Sequence, residues 1–415
     1  MRVIRGKTII DGTGRAPISD GVVVIDGDRI KAVGRGDHVP VPPGAEVIDL
    51  GNQTVLPGLV DAHSHCVLRA EVRTLAQQYS DPLPRMVLRG ANNLKADLLS
   101  GVTSMRTLGD PHHIDLRLRD AINEADIPGP RLRVSGPALR STYGPGYTLG
   151  PHTDGVDAVR RLVRENIFNG ADVIKIFATG WLTVDPAAYQ LNQFTRTAAY
   201  SREEFRTIID EAHRVGIRVT AHAHCGDGLR DCIEGGIDSI EHASLMEEEA
   251  IDLFLTHDTW LVGTCTALFD PELGLMAKKD FNTVPEYRDS LLLAMDTIRK
   301  MYPRALKAGV KYTAGSDARH GHFSRELEYA VEFGLSPMDA IVAGTRSAAT
   351  LIGVEKSVGT LEPGKIADVI SIDGDPLEDI RALRNVRMVM KAGTRYHQMR
   401  AEQLEPEERK EVVAV

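Results

Sequence analysis

The fold of this chain is decided by residues 55–66, VLPGLVDAHSHC. An apolar run, broken once by Pro57 and Gly58, ends in His63 and His65. Residues i and i+2 of a β-strand point to the same face, so the two imidazoles aim at one point. Two convergent imidazoles at the polar end of an apolar strand are the start of a metal site. The alternative is a pair of buried, hydrogen-bonded histidines, and this short motif alone does not decide between them.

The rest of the chain has the composition of a folded, acidic protein. At 415 residues it is longer than most single cores grow, so we expect one large domain and a smaller one. A hydrophobic content of 42% argues against disorder. The formal net charge of -9 argues against nucleic acid as a partner, because phosphate binding needs a basic face. No stretch approaches the ~20 apolar residues of a membrane span, so we expect no membrane partner.

The four cysteines indicate a reducing compartment. The first residues also lack the basic and then apolar order of a signal peptide. We therefore expect the protein in the cytoplasm. The cysteines show no disulfide-framework spacing, and we expect small buried hydrophobic residues at Cys66, Cys225, Cys232 and Cys265.

Both ends of the chain predict β-structure. Up to residue 54, apolar β-branched runs alternate with turns such as Asp11-Gly12, which is a strong hairpin signal. Strand and turn patterns of the same kind return after residue 358. We predict that residues 1–54 and 358–400 form one small β-sandwich domain, and that residues 401–415 are a separate acidic tail.

Between these ends, strands alternate with helices. In the clearest unit Ser201 and Glu204 form a capping box, an apolar helical stripe follows, and Gly216 ends the helix before a strand that runs to His222. Repeated βα units imply a parallel sheet, and six or more over roughly 300 residues favour a (β/α)8 barrel. We therefore predict an α/β fold in which residues 55–357 form a catalytic barrel.

Six candidate ligands share one position in this pattern. Each lies at or just past the C-terminal end of a predicted strand, where a barrel places its active site. A structural histidine has no reason to take that position four times, so the joint pattern is far more specific than any single motif. The six residues are His63, His65, Lys175, His222, His242 and Asp317.

The segments that carry these residues closely resemble the amidohydrolase superfamily of metal-dependent hydrolases. The resemblance extends over nearly the whole chain. It is greatest to the branch that holds prolidase-like dipeptidases, ochratoxin amidase and the hydrolases of phenylurea and thiocarbamate (molinate) herbicides. The matching segments are LPGLVDAHSH (56–65), ADVIKI (171–176), VTAHAH (219–224), SIEHA (239–243), AGSD (314–317) and LEPGKIAD (361–368).

This resemblance implies a distorted barrel with a binuclear centre of two divalent metal ions, with zinc as the first choice. Two of the histidines, His63 and His65, would bind one metal, and the other two, His222 and His242, would bind the second. A hydroxide and Lys175, carboxylated by CO2, would bridge the metals. The last of the six ligands, Asp317, would touch the first metal and act as the catalytic acid–base.

Two of the implied ligands have other interpretations. Lys175 is otherwise a surface lysine whose stem lies along apolar groups, although its surroundings, VIKIF (173–177), are too apolar for that. Burial lowers the pKa of a lysine and so permits addition of CO2. Asp317 fits a helix N-cap as well, and that role is compatible with metal binding.

Three residues are candidates for substrate binding. Tyr143 lies in a Gly/Pro-rich loop where dipeptidases of this branch carry a Gly-Gly-His segment, which argues against peptide-like recognition. A packing role for Tyr143 is an equal alternative. His224 follows His222 by two and faces the same side, while Trp181 follows the Lys175 strand as a candidate pocket wall.

The residues after Asp317 give little indication of a role in the site. We expect Arg319, His320 and His322 in a solvated loop near the mouth of the site. Few basic residues can then be placed in the pocket, which slightly favours a neutral substrate over one that presents a carboxylate.

The sequence therefore predicts an enzyme that hydrolyses an amide-type C–N bond, in an amide, urea or carbamate of a small molecule, through a metal-bridging hydroxide. The first alternative is a dipeptidase or N-acyl amino acid hydrolase. A mononuclear deaminase of the same superfamily lacks the lysine that stands here at Lys175, and a non-catalytic scaffold typically loses ligands. The resemblance also implies a homo-oligomer.

Overall fold

The computed structural model describes residues 1–69, 75–146, 148–180, 198–275 and 285–396. Its strands are β1 (Arg2–Ile9), β2 (Ile18–Asp26), β3 (Arg29–Arg35), β4 (Glu46–Asp49), β5 (Thr54–Pro57), β6 (Leu59–Ser64), β7 (Val102–Thr107), β8 (Arg131–Val134), β9 (Val173–Phe177), β10 (Arg218–Ala223), β11 (Ser239–His242), β12 (Trp260–Gly263), β13 (Tyr312–Ala314), β14 (Val369–Ile372), β15 (Val386–Lys391) and β16 (Thr394–Tyr396). Its α-helices are α1 (Leu75–Tyr79), α2 (Leu83–Leu99), α3 (Ile114–Asn123), α4 (Val156–Phe168), α5 (Arg202–His213), α6 (Gly226–Glu234), α7 (Glu249–Thr256), α8 (Thr266–Phe269), α9 (Pro285–Ala308), α10 (Ser324–Glu332), α11 (Pro337–Val342) and α12 (Ala348–Leu351).

Eight strands from the middle of the chain form two parallel sheets. The first has the order β6-β7-β8 and the second the order β13-β12-β11-β10-β9, and each neighbouring pair is parallel. Most of these strands are joined by helices, as expected of βα units, so the predicted α/β class is confirmed. Because the strands of each sheet run the same way, their C-terminal ends lie along one edge.

Hydrogen bonds join the two parallel sheets at both of their outer edges. Just beyond β8, the Leu139 N–H donates to the Lys175 carbonyl at 2.8 Å, on β9. Just beyond β13, the Asp317 N–H donates to the His63 carbonyl at 2.9 Å, on β6. The second approach needs glycine at Gly315, since an added Cβ would lie 2.3 Å from the Cβ of His63. The ends of β6 and β13 are thus held against each other.

The helix that carries the predicted capping box forms as expected. The Glu204 N–H donates to Ser201 Oγ at 3.3 Å, and the Ser201 N–H donates back to the Glu204 carboxylate at 2.7 Å. Phe205, Ile208 and Ile209 are buried from this helix in the main apolar core, which also takes in side chains of both parallel sheets. The α5 stripe therefore packs on the sheet and leaves the strand ends to the polar groups.

Both ends of the described chain contribute to a third sheet. Its order is β16-β15-β14-β5-β1-β2-β3, with β4 beside β1. Successive residues of β1 point to opposite faces of the sheet. Val3 packs in one apolar cluster and Ile4 in another, so both faces of this strand are covered. Strand β5 leads straight into β6, which carries His63. The sandwich packing and the division into two domains stay predictions.

Two features predicted from the sequence lie in parts of the chain that the structure does not describe. These are the acidic tail, 401–415, and Trp181. Within the described ranges, every helix is too short or too polar to cross a membrane.

Candidate metal centre

The predicted histidines converge at the C-terminal edge of the parallel strands. The centroid of the His63 ring lies 5.5 Å from that of His65 and 5.0 Å from that of His242. The rings of His222 and His242 are 4.6 Å apart. A fifth ring, of His224, lies 4.6 Å from His222. All five side chains are buried. One small space therefore holds residues that are up to 179 positions apart in the chain, as His63 and His242 are.

Asp317 completes a compact group with the first pair of histidines. Its Oδ1 lies 3.5 Å from Nε2 of His63 and 3.5 Å from Nε2 of His65. One ligand atom from each of these three residues can be chosen so that all lie within 4.8 Å of one another. Two imidazole nitrogens and a carboxylate oxygen are a donor set that suits Zn²⁺ and related cations.

Lys175 points into the same buried space rather than to solvent. Its side chain is 1% exposed, and Nζ has no hydrogen-bond partner among the described residues. The Phe177 ring lies 5.5 Å from Nζ. Burial lowers the pKa of Lys175 to about 8, against the partial opposition of the Glu241 and Asp317 charges. The interpretation of Lys175 as a surface lysine is therefore excluded.

Two site residues have backbones in the left-handed region. His242 has φ 74° and Asp317 has φ 45°, a conformation that non-glycine residues rarely adopt. Alternation along β11 would send the side chains of Glu241 and His242 to opposite faces, yet both reach the site. The turn at His242 re-aims its ring toward His222. Such local strain is typical of functional sites, where the surrounding structure holds it in place.

Burial and charge set the protonation of the ligands. Burial lowers the pKa values of His222 and His242 well below the ordinary histidine value, and lowers that of His224 to about 3. Burial would raise the pKa of Asp317, but bonds with His63 and His65 hold it well below its usual range. Neutral imidazoles at His222 and His242 and an ionised carboxylate at Asp317 are the forms that bind a cation, so these residues fit a metal. Burial would lower the pKa of His63, but the Glu241 charge and the contact with Asp317 raise it above its ordinary value.

A buried ion pair that the sequence analysis missed lies directly beneath the histidines. Glu241 is fully buried and binds His63 Nδ1 at 2.6 Å through Oε2. Its Oε1 accepts from Arg106 at 2.7 Å and from Ser239 Oγ at 2.9 Å, and also from the Thr220 hydroxyl. Burial would raise the pKa of Glu241, but the Arg106 charge and the His63 contact hold it below its usual value.

Other buried carboxylates fix the loops that follow the strands. Asp110 accepts the N–H groups of Cys66 and Val67 at 2.8 and 3.1 Å. Asp61 Oδ1 accepts the N–H groups of His63 and Ser316, at 3.0 and 3.1 Å, and so ties β6 to the Asp317 loop. The sequence signal for these residues was weak: an acidic residue inside an apolar segment.

The three candidate substrate-binding residues differ in their burial and in whether the structure describes them. His224 is 4% exposed, and its ring stacks on His242 with centroids 5.5 Å apart, so it belongs to the site. Tyr143 is 46% exposed and donates from its hydroxyl to the Ala198 carbonyl at 3.2 Å. Because Trp181 lies outside the described residues, its predicted role has no structural counterpart.

The expectation of a solvated loop after Asp317 is wrong for Arg319 and His320. Arg319 is 4% exposed and donates to the Asp317 carbonyl at 2.6 Å. His320 binds the Asp97 carboxylate at 2.7 Å through Nδ1 and the Leu68 carbonyl at 2.8 Å through Nε2. The partners come from α2 and from the chain beyond β6, and their proximity could not be read from the local sequence.

Comparisons with known proteins agree with this geometry. A family model described as "Amidohydrolase family" matches residues 54–395. Over 423 aligned residues the chain is 31% identical to an ochratoxinase of Aspergillus niger, with 94% of this chain and 84% of that protein covered. The crystal structure of A. niger ochratoxinase matches with a TM-score of 0.82 at 28% identity, covering 95% of this chain and 96% of that one.

Two further solved structures have the same fold. A Xaa-Pro dipeptidase with methionine bound in its active site matches with a TM-score of 0.83 at 30% identity, covering 96% of this chain and 100% of that one. A molinate hydrolase matches with a TM-score of 0.79 and covers 95% of this chain and 94% of that one. Its 23% identity shows a common fold and nothing finer.

Replacement of the buried Arg106 side chain should lower the stability of the protein. We expect Arg106→Met to lower the free energy of unfolding by about 3–5 kcal/mol, because it leaves the Glu241 carboxylate buried without its counter-charge. Adding Glu241→Gln should recover part of that loss. Urea denaturation followed by circular dichroism measures both. The matched control is Arg304→Met, which breaks an exposed pair with Glu248 and should cost about 1 kcal/mol or less. Equal losses for Arg106→Met and Arg304→Met would contradict the prediction.

Proposed function

This chain belongs to the amidohydrolase family and is a hydrolytic enzyme, and on that premise we propose that it hydrolyses an amide-type C–N bond of a small molecule. The bond lies in an amide, a urea or a carbamate, and two divalent metal ions, with zinc as the first choice, serve the reaction. The observation that carries the proposal is the group of buried His63 and His65 with partly buried Asp317, and buried His222, His242 and Lys175 beside it.

Lys175 is the residue that favours two metals over one. A buried ammonium beside a cation would be repelled, whereas the uncharged amine adds CO2 and loses a proton to give a carbamate. The carbamate carries a negative charge and two oxygens, which are ligands for divalent cations. The lowered pKa of Lys175, its burial and its unpartnered Nζ all support this proposal. They argue against a mononuclear deaminase.

The residues of the chain have distinct tasks in the proposed reaction. Bound divalent cations lower the pKa of water and polarise a substrate carbonyl. Asp317, held ionised by its histidine neighbours, takes the proton of the attacking water and returns it to the leaving nitrogen. Arg319 holds the Asp317 loop through the carbonyl of that residue. The buried His224, whose ring stacks on that of His242, is assigned to substrate binding.

A second candidate substrate class is an N-acyl amino acid or dipeptide. The specific observation in its favour is the buried guanidinium of Arg319, whose Nη1 lies 3.7 Å from Asp317 Oδ2. A cation next to the catalytic carboxylate weakens the argument for a neutral substrate that rested on a lack of basic residues. The likeness to a Xaa-Pro dipeptidase supports the same class. The exposed Tyr143 supports neither class in particular.

The remaining architectural features are part of this proposal. We place the eight parallel strands in one closed, distorted (β/α)8 barrel, with the third sheet as a small β-sandwich domain. The proposed protein is a cytoplasmic homo-oligomer that acts on small molecules and binds neither nucleic acid nor membranes.

A substrate panel tests the proposed function. Purified protein with measured metal content is given a phenylurea, a carbamate, a simple anilide, N-acyl amino acids and dipeptides. Hydrolysis of a C–N bond that stops on removal of metal and returns on its addition supports the proposal. Preference for the acyl amino acids would select the second substrate class. Release of ammonia from a purine or pyrimidine ring with one metal per chain would contradict the proposal.

Asp317 should be more important for turnover than for metal binding. We expect Asp317→Asn to keep most of its metal but to lose about 10²–10⁴-fold in kcat, because an amide cannot accept the proton. Metal analysis and initial rates on one sample measure the two effects. The control Asp157→Asn alters a fully exposed carboxylate on α4 and should leave kcat unchanged. Near-normal kcat in metal-loaded Asp317→Asn would reject the proton-transfer role.

Lys175 should be needed for the second metal. We expect Lys175→Ala to bind fewer than two metal ions per chain, because the bridging ligand is lost, and addition of a short carboxylate such as acetate to restore part of the loss. Elemental analysis after dialysis measures the content. Lys300→Ala, at an exposed position on α9, is the control. Two full equivalents of metal in Lys175→Ala without added carboxylate would count against the bridge.

A further inference from the structure

The two halves of the proposed centre rest on different supporting residues. In one half, His63 Nδ1 lies 2.6 Å from the Glu241 carboxylate. In the other, His242 Nδ1 lies 2.7 Å from the Thr264 hydroxyl. Both partners are buried, and Nε2 of His63 lies 3.5 Å from Asp317 Oδ1. The chemistry of the two partners nevertheless differs.

A carboxylate fixes the tautomer of its histidine, and a hydroxyl does not. Ionised Glu241 can only accept, so Nδ1 of His63 must carry the proton, and Nε2 keeps a lone pair for a cation. The Thr264 hydroxyl can donate or accept, so His242 can place its proton on either nitrogen. A carboxylate partner also makes the imidazole a more basic ligand. His63 is therefore prepared for metal binding, while His242 must select the right tautomer.

The Glu241 carboxylate is itself held by a closed ring of contacts. Arg106 donates to Glu241 Oε1 at 2.7 Å and, through Nε, to the carbonyl of Ala62 at 2.6 Å. Ala62 precedes His63 in β6, so the chain of bonds returns to the strand where it began. Rotation of the His63 ring would break its bond to Glu241, and a shift of β6 would break the bond to Arg106. The ring thus fixes the position of His63 as well as its tautomer.

Arg106 and two hydroxyl groups also occupy one oxygen of Glu241. Both oxygens of Glu241 are occupied, one by His63 and the other by Arg106 and the hydroxyls of Ser239 and Thr220. Glu241 is therefore engaged as a supporting residue of the site. The anionic ligand on this side is instead Asp317, whose Oδ1 lies within 3.5 Å of both His63 and His65.

We infer that the two metal positions are unequal and fill in order, with Glu241 as the positioning residue that makes the His63, His65 and Asp317 position the tighter one. This inference rests on the proposed two-metal function. The first position has a fixed imidazole tautomer at His63 and an anionic side chain of its own, Asp317. The second has His222 and His242 with a hydroxyl in support, and its negative charge would come from the Lys175 carbamate that the two positions share.

Metal titration of the full-length protein tests the order directly. Metal-free protein is titrated with Zn²⁺ against a chromophoric chelator, in a buffer equilibrated with bicarbonate. We expect two equivalents whose dissociation constants differ at least tenfold. Two equivalents of equal affinity would overturn the inference and leave the proposed function standing. One equivalent, or none, would overturn both.

Matched variants assign the two affinities to the two partners. Glu241→Gln should raise the dissociation constant of the tight metal by about 10–100-fold and leave the weak one nearly unchanged. Thr264→Val removes the hydroxyl at constant shape, and should weaken the second metal alone. The melting temperature of each metal-free variant is measured beside it, because a merely structural role would lower stability without altering the ratio of the two affinities.

Two results would overturn the assignment of Glu241. One is an unchanged tight dissociation constant in folded Glu241→Gln. The other is a loss of the tight metal in Thr264→Val, which would place it at His242. If Glu241→Gln does not fold, the Thr264→Val titration still decides which position is tight.

Discussion

A polar group carried into the apolar interior of a protein needs a partner there, and this constraint organises the whole site. The N–H groups of the turns beyond the strands end on buried carboxylates such as Asp110 and Asp61. Both carboxylate oxygens of Glu241 have hydrogen-bond partners. Against that background, Lys175 Nζ and His63 Nε2 are buried without hydrogen-bond partners among the described residues. Cations and the carbamate that they require would satisfy these two atoms.

The sequence predicted the convergence of the ligands because it followed from a simple rule. Strands in parallel βα units end on one edge, so polar residues that follow apolar strands meet there whatever their separation in the chain. The alternation of residues in His63-Ser64-His65 and the capping box at Ser201 are local patterns, and both appear in the structure as expected. Local periodicity therefore sufficed for the frame and for the histidine cluster.

The residues that support the ligands were not predictable in the same way. Glu241 looked like an interior strand residue, and nothing near Arg106 in the sequence indicates that these side chains from the two parallel sheets meet. The left-handed turn at His242 likewise has no local signal, since neither glycine nor asparagine stands there. The burial of Arg319 depends on the position of a carbonyl two residues earlier. These features arise from long-range packing, and they are the ones that distinguish a rigid site from a set of nearby histidines.

Anomalous diffraction from crystals of the metal-loaded protein, recorded at the absorption edge of the metal, tests the central claim most directly. The account predicts two peaks in one buried space, one beside His63, His65 and Asp317 and one beside His222 and His242, with extra density on Lys175 between them. A single peak remote from these side chains, or two peaks with Lys175 directed elsewhere, would contradict it.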